Sequence, residues 1–233
     1  MAPKKGGPRI KVTKDGPYIV SGKVPLEKER IVCDQKGTPL QWEKMGKYPD
    51  KETYALCRCG QSKNMPYCDG AHLKIGFDGT ETASREKYLD QAETITGPNL
   101  VLTDVEKLCA VARFCHRVED AWQLTKNSAD SESKQIVIQE ACDCPSGRLV
   151  AWDKETGKPI EPDFEPSISL TEHSGRDASG PIWVKGGVPV ESSDGTEYEI
   201  RNRVTLCRCG RSKNKPFCDG GHLESDPPNK SDK

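Results

Sequence analysis

Two short segments carry most of the reactive side chains in this sequence. CRCGQSKNMPYCDGAH, Cys57 to His72, packs three cysteines and a histidine into sixteen residues, and CRCGRSKNKPFCDGGH, Cys207 to His222, repeats it with four differences. Thiolates and imidazoles are good metal donors, and their recurrence in register points to ligation over incidental polar residues. In Cys57-x-Cys59-x8-Cys68-x3-His72 the Cys-x-Cys pair can hold one metal from adjacent positions, while Cys68 and His72 approach from the start of a helical turn. Asp69 is expected to cap that turn, leaving backbone N–H groups aimed at the site, an arrangement that favours an anionic centre. Gly60 and Gly70 allow close backbone approach, and Pro66 sets a bend without an N–H that needs a partner. The same roles fall to Cys207, Cys209, Cys218 and His222, with Asp219, Gly210, Gly220 and Pro216 around them. By ligand type alone, three thiolates and an imidazole also make a closed zinc site.

A third group lies between the repeats: Cys109-x5-Cys115, then Cys142-x-Cys144-Pro145. The segment TDVEKLCAVARFCHRVEDAW reads as a helix, with Thr103 and Glu106 in a capping-box pattern and Val105, Leu108, Cys109 and Ala112 on one face. Six residues of α-helix turn through about 600°, so Cys109 and Cys115 lie roughly 120° apart and reach one centre only if the helix breaks between them. The plain alternative is a helix with two buried thiols. Against it, bacterial ferredoxins end their ligand run in Cys-Pro, as CDCPSG does here. On that resemblance to ferredoxins Cys144 is the expected third ligand, with Cys142 either replacing it or adding a fourth thiolate. His116 and His173 read as ordinary polar residues, His116 being an outside candidate beside Cys115, and the solitary Cys33 as a small apolar residue.

The residues C-x-C-x2-S-x3-P-x-C-D-G-A-H resemble the motif of the CDGSH iron–sulfur family, also called NEET proteins. The resemblance implies a 2Fe-2S cluster in each loop, with one iron on Cys57 and Cys59 and the outer iron on Cys68 and His72. Copy two carries over to Cys207, Cys209, Cys218 and His222, although Gly221 stands where the family has Ser, Ala or Thr. The middle segment is similar to the divergent single-cluster ferredoxin pattern, in which three cysteines bind a 3Fe-4S centre, or a 4Fe-4S centre with another ligand. Ala112 occupies the position of the extra cysteine of a regular ferredoxin.

The elements that must position these groups also repeat. GPYIVSGKVPLE from Gly16 corresponds to GPIWVKGGVPVE from Gly180, and each reads as two short strands with a proline at an edge position. A third strand is expected to lead into each loop, Thr53 to Leu56 and Arg203 to Leu206. From the Gly-Pro start to the first loop cysteine is 41 residues in copy one and 27 in copy two, and an inserted hairpin around IVCDQKGTPLQW, turning at Lys36-Gly37, accounts for the excess. KQIVIQEACDCPSGRLVAWDKETGKPIEP reads as a strand, a cysteine-bearing turn and a strand running into a Gly157 turn.

The expected fold is therefore a set of small β-rich α+β modules. Residues 1–15 form a flexible basic tail, 16–76 the first CDGSH unit, 77–98 a polar linker wrapping the surface, 99–170 a ferredoxin-like α+β domain, 171–224 the second CDGSH unit and 225–233 a disordered tail. Units of this size bury too little core alone. Because single-copy members of the family pair as homodimers, the two copies are expected to pair as an intramolecular pseudo-dimer in a monomer, the IVSG and IWVKGG strands building a shared β-cap.

Lys and Arg total 35 against 36 for Asp and Glu, so no basic field is present to hold nucleic acid. The N-terminal MAPKKGGPRIKVTK has no apolar stretch of the kind a signal peptide or a membrane span needs, and eleven cysteines in such a chain suggest ligation in a reducing cytoplasm. With no paired carboxylates, nucleophile–base pair or phosphate loop, the expected function is non-enzymatic: electron transfer or redox sensing with a redox partner protein. The alternatives are storage and transfer of 2Fe-2S clusters to apo-acceptors, and a zinc-stabilised interaction module.

Overall fold

The structure, a computed structural model, describes residues 6–173 and 178–223; Lys4, Lys5 and the tail expected at 225–233 lie outside the described residues. Strands β1 (Arg9–Val12), β2 (Tyr18–Ser21), β3 (Leu26–Cys33), β4 (Pro39–Lys47) and β5 (Thr53–Leu56) precede the first loop, which runs into the single-turn α1 (Ala71–Lys74). The middle holds α2 (Tyr88–Gln91), β6 (Glu93–Thr96), β7 (Leu100–Asp104), α3 (Ala121–Lys126), α4 (Ser131–Asp143), β8 (Leu149–Asp153) and β9 (Pro159–Ile160). Strands β10 (Ser167–His173), β11 (Ala178–Lys185), β12 (Val190–Glu191) and β13 (Arg203–Leu206) lead into the second loop.

Neither CDGSH unit keeps its strands to itself. One sheet has the order β12-β1-β2-β5 and the other β13-β11-β10-β3-β4, so the strand after each Val-Pro leaves for the other unit's sheet. Ile10 pairs in parallel with Val190, and Leu26 with Ile168. Each proline, lacking an N–H, uses its carbonyl: Ile168 N–H donates to Pro25 at 2.9 Å and Ile10 N–H to Pro189 at 2.9 Å. The IVSG and IWVKGG strands, expected to build one cap, lie in different sheets; the exchanged strands are those after the prolines. One apolar core results, with Tyr18, Val20 and Leu56 of the first unit packed among Ile182, Val184 and Leu206 of the second.

The hairpin expected between Ile31 and Trp42 is β3–β4, with Gly37 at φ 78° in its turn, the left-handed region that glycine enters without cost. It carries a cross-unit ion pair: Glu29 accepts from Lys185 Nζ at 2.5 Å and from Ser169 Oγ at 2.6 Å, all buried. The expected basic tail is corrected by β1, where Ile10 and Val12 are buried while Arg9 and Lys11 face outward. Basic residues alternating with apolar ones hid a half-buried strand.

The middle unit is an antiparallel sheet of order β6-β7-β8-β9, with Leu124, Val137 and Ala141 of α3 and α4 packed against Leu100, Leu102 and Leu149. Two expectations fail here. Thr103 is not a helix cap but a residue of β7, and the expected long helix is replaced by 3-10 turns at Glu106–Leu108 and Phe114–His116. Val111 and Arg113 break the chain between them with φ 54° and 66°. The run expected as a strand from Lys134 is instead α4, capped by Asp130, which accepts from Ser133 N–H at 2.7 Å. Its β-branched run favours a strand, but the cap and burial of Val137 and Ala141 one turn apart outweigh propensity. The linker is also more than a surface wrap: its end supplies α2 and β6, and Tyr88 is buried with its hydroxyl 2.8 Å from the Arg148 carbonyl. Among the described residues no helix is long and apolar enough to cross a membrane.

Candidate metal centres

β5 and β13 deliver the Cys-x-Cys pairs. Cys57 N–H donates to the Pro66 carbonyl and Cys207 N–H to that of Pro216, each at 2.8 Å, folding the loop back on its own start. Cys68 N–H bonds Ala55 and Cys218 N–H bonds Thr205, at 2.9 Å each, so the second half of each loop is pinned to the strand that carries the first. Ser62 and Ser212 bridge inside the loops, donating to Tyr67 at 2.6 Å and Phe217 at 2.7 Å.

Asp69 acts differently from the expected helix cap. The residue flanking α1 is Gly70, at φ 85°, and Asp69 accepts from Ala71 N–H at 3.0 Å and, across the loop, from Lys63 N–H at 2.8 Å. Those bonds, that to Lys63 foremost, hold its carboxyl below the usual range. Asp219 repeats both contacts with Gly221 and Lys213.

The donors fall into pairs. Cys57 and Cys59 sulfurs are 3.7 Å apart, Cys207 and Cys209 3.6 Å, Cys68 Sγ and His72 Nδ1 3.4 Å, and Cys218 Sγ and His222 Nδ1 3.5 Å. With metal–sulfur bonds of about 2.3 Å and metal–nitrogen bonds of about 2.0 Å, two donors of one tetrahedral ion lie about 3.5 to 3.8 Å apart. Each pair therefore fits one metal ion. Among the described residues no three His, Cys, Asp or Glu side chains converge as ligands of a single ion. Backbone N–H groups of Gly70 and Gly220 point at Cys68 Sγ at 3.5 Å and Cys218 Sγ at 3.4 Å, an arrangement that favours thiolate.

The two loops meet back to back. A Cβ on Gly60 would sit 2.7 Å from the Cys209 carbonyl oxygen and one on Gly210 2.7 Å from that of Cys59, so this approach requires glycine at both places. Buried Arg58 anchors the first loop through the carbonyls of Thr13, at 3.0 Å, and Gly79. Arg208 anchors the second through Thr171, Gly180 and Glu172.

Their electrostatics differ. His222 is buried, and that burial, then His173 and Arg208, push its pKa down to about 4. Cys218 is pushed up to about 12, mainly by burial. In the Cys207–Cys209 pair, the hydrogen bond with Cys207 pulls the Cys209 thiol below its ordinary value, with help from Arg211. His173, expected to be an ordinary polar residue, stacks on His222 with ring centroids 5.8 Å apart.

Cys109, Cys115 and Cys144 line one small cleft with Val111, Ala112 and Ser146. The break at Val111 and Arg113 turns the chain so that both flanking cysteines face it. Burial, then the charges of Cys144 and Cys109, push Cys115 up to about 12, against the opposing pull of Arg148, which lines the same cleft. Cys142 does not line the cleft; it sits in α4 with its thiol 3.6 Å from the Ile160 carbonyl. His116 is exposed and packs on Trp122, and Cys33 is half-buried at the end of β3.

Tyr18 and Arg203 have site roles that sequence reasoning missed. Buried Tyr18 donates to the Cys207 carbonyl at 2.8 Å and to Pro216 at 3.0 Å, bracing the other unit's loop. Buried Arg203 bonds the Cys144 carbonyl at 2.8 Å. Neither has a counterpart in the repeat, where Ile182 and Thr53 stand, and that mismatch was the available signal.

No curated protein and no solved structure matches the chain. The family model described as iron-binding zinc finger, CDGSH type, matches residues 15–73 and again 179–223, and that described as divergent 4Fe-4S mono-cluster matches 95–154. With two paired-donor loops under the first and a three-cysteine cleft under the second, the chain carries two CDGSH-type iron-binding regions on either side of a divergent single-cluster region, the make-up of an iron–sulfur cluster-binding protein.

Proposed function

We propose that the chain is a non-enzymatic redox protein of the reducing cytoplasm, passing or sensing electrons through two 2Fe-2S clusters and a third cluster of the 3Fe-4S or 4Fe-4S type. The observation that carries this is the donor pairing: each loop presents two donor pairs, each spaced for one tetrahedral ion, and among the described residues no three donors converge. A lone zinc would draw all four donors to one point, so the pairing speaks against the zinc module. Bound clusters supply one-electron exchange. Cys57 and Cys59, like Cys207 and Cys209, would hold the inner iron against the neighbouring loop. Cys68 with His72, and Cys218 with His222, would hold the outer iron by Nδ1. In the middle, Cys109, Cys115 and Cys144 would hold the third cluster.

The exchanged strands and single core support an intramolecular pseudo-dimer, in which neither unit folds without the other. Metal and sulfide analysis with a visible spectrum tests the reading: a coloured protein with iron and sulfide in all three sites is expected, and colourless protein with zinc alone overturns it. A second reading, storage and donation of 2Fe-2S clusters to an apo-acceptor, is favoured by the half-buried first centre, whose outer donors Cys68 and His72 solvent can reach. Mixing reduced protein with an apo-ferredoxin separates the two, since transfer of colour within minutes supports donation.

A further inference from the structure

Both ligand loops of the middle cleft are bonded to the second CDGSH unit beside its site. Arg203, in the strand leading to Cys207, donates to the Cys144 carbonyl at 2.8 Å and to Ala141 at 2.8 Å. Asn214, between the ligands of the second loop, donates from Nδ2 to the Lys107 carbonyl at 2.9 Å, two residues before Cys109. Gly220, next but one to Cys218, lies so close to the insert that a Cβ there would be 2.4 Å from Val111 Cγ2 and 3.5 Å from the Cys109 carbonyl oxygen.

The first loop has none of this. Its counterparts are Thr53 and Asn64, both exposed, and Gly70, whose Cβ would meet nothing within 4 Å. Among the described residues no hydrogen bond, ion pair or ring contact joins residues 57–72 to residues 95–154. The first loop reaches its neighbours through the Gly60–Cys209 and Gly210–Cys59 contacts with the second.

We infer that the three centres are ordered first, second, middle, with Arg203, Asn214 and Gly220 as positioning residues that hold the middle centre against the second CDGSH centre and away from the first. This rests on the three-cluster reading above. The coupling concerns one electron: whichever of the two neighbours is oxidised, the other is reduced, an external one-electron donor such as dithionite supplying the charge, and no bond or proton changes hands.

Electron paramagnetic resonance of the full-chain protein reduced with dithionite tests the order. One of the two outer centres should relax fast beside the middle paramagnet and the other slowly. His222→Cys should shift the signal of the fast-relaxing centre, and His72→Cys that of the slow one. Cys115→Ser, which removes the middle centre, should abolish the fast relaxation while leaving the other outer signal unchanged. Asn214→Asp, setting a carboxylate against the Lys107 carbonyl, should weaken the coupling at unchanged iron and sulfide content, and Asn64→Asp should not. Equal effects of Cys115→Ser on both outer centres, or a fast-relaxing centre that shifts with His72→Cys, would overturn the order with all three clusters present. Iron and sulfide for only two clusters in the parent protein would overturn the three-cluster reading itself, and this inference with it.

Discussion

The two CDGSH loops differ at four of sixteen positions, yet they occupy unlike surroundings. In the first, Cys68 and His72 are half-buried, and Met65 and Leu73 stand in solvent. In the second, Cys218 and His222 are buried; His222 stacks on His173, Gly220 abuts Val111 of the insert, and the linker's Thr82 and Ala83 N–H groups both donate to the Lys215 carbonyl. A loop's local bonds make the donor pairs, and these are the same in both copies. What surrounds the pairs sets solvent access, donor charge and neighbours, and that comes from elsewhere in the chain. One motif thus yields outer donors that solvent reaches in the first copy and buried outer donors in the second.

The largest difference should appear on truncating the residue that ties the second loop to the insert. Arg203→Ala leaves the Glu161 carboxylate and three carbonyls without their buried cation and should cost about 3 kcal/mol or more. Thr53→Ala, at the matching exposed position, should stay within about 0.5 kcal/mol. Thermal unfolding of the two variants checks this, and equal losses would mean that the insert braces both units alike.

A smaller effect is expected of Tyr18→Phe. It removes the hydroxyl shared by the Cys207 and Pro216 carbonyls and should destabilise the protein by about 1–2 kcal/mol. The loss should loosen the second loop, seen as faster amide exchange at residues 207–218 than at 57–68. The reverse pattern would show that Tyr18 serves its own unit.

The smallest concerns acid. With His222 held near pKa 4 against an ordinary value of about 6.5, the folded chain keeps that imidazole neutral where the unfolded chain protonates it. The folded value is depressed, so its contribution to stability is present above about pH 6.5 and is lost as pH falls towards 4. Down to about pH 5 the second site should keep its nitrogen donor, while solvent reaches the half-buried first site. On a step from pH 7 to 5.5 the first centre should bleach faster, by about tenfold, equivalent to ~1.4 kcal/mol in barrier. His72→Cys should then slow the first phase of colour loss and His222→Cys should not; equal rates for both centres would sink the contrast.

The strands Thr53–Leu56 and Arg203–Leu206, and the hairpin turning near Gly37, form where the sequence analysis puts them, because alternation and turn chemistry are local signals. The region from Thr103 to Cys144 was misread for the opposite reason. Apolar spacing there fits a helix and β-branched residues fit a strand, but the left-handed turns at Val111 and Arg113 depend on packing against other segments. Arg203 and Tyr18 looked ordinary because their partners, Cys144 and Cys207, are 59 and 189 residues away.

By itself the sequence determined the donors and their grouping within each loop, since a Cys-x-Cys pair and a Cys-x3-His turn bring their atoms within one metal's reach by chain geometry alone. Which loop is enclosed, which unit each post-proline strand joins and which centre the insert touches were decided only by the tertiary structure. Those outcomes rest on contacts between residues far apart in the chain, whose gain depends on burial in one shared core and leaves no mark in the spacing of the motif.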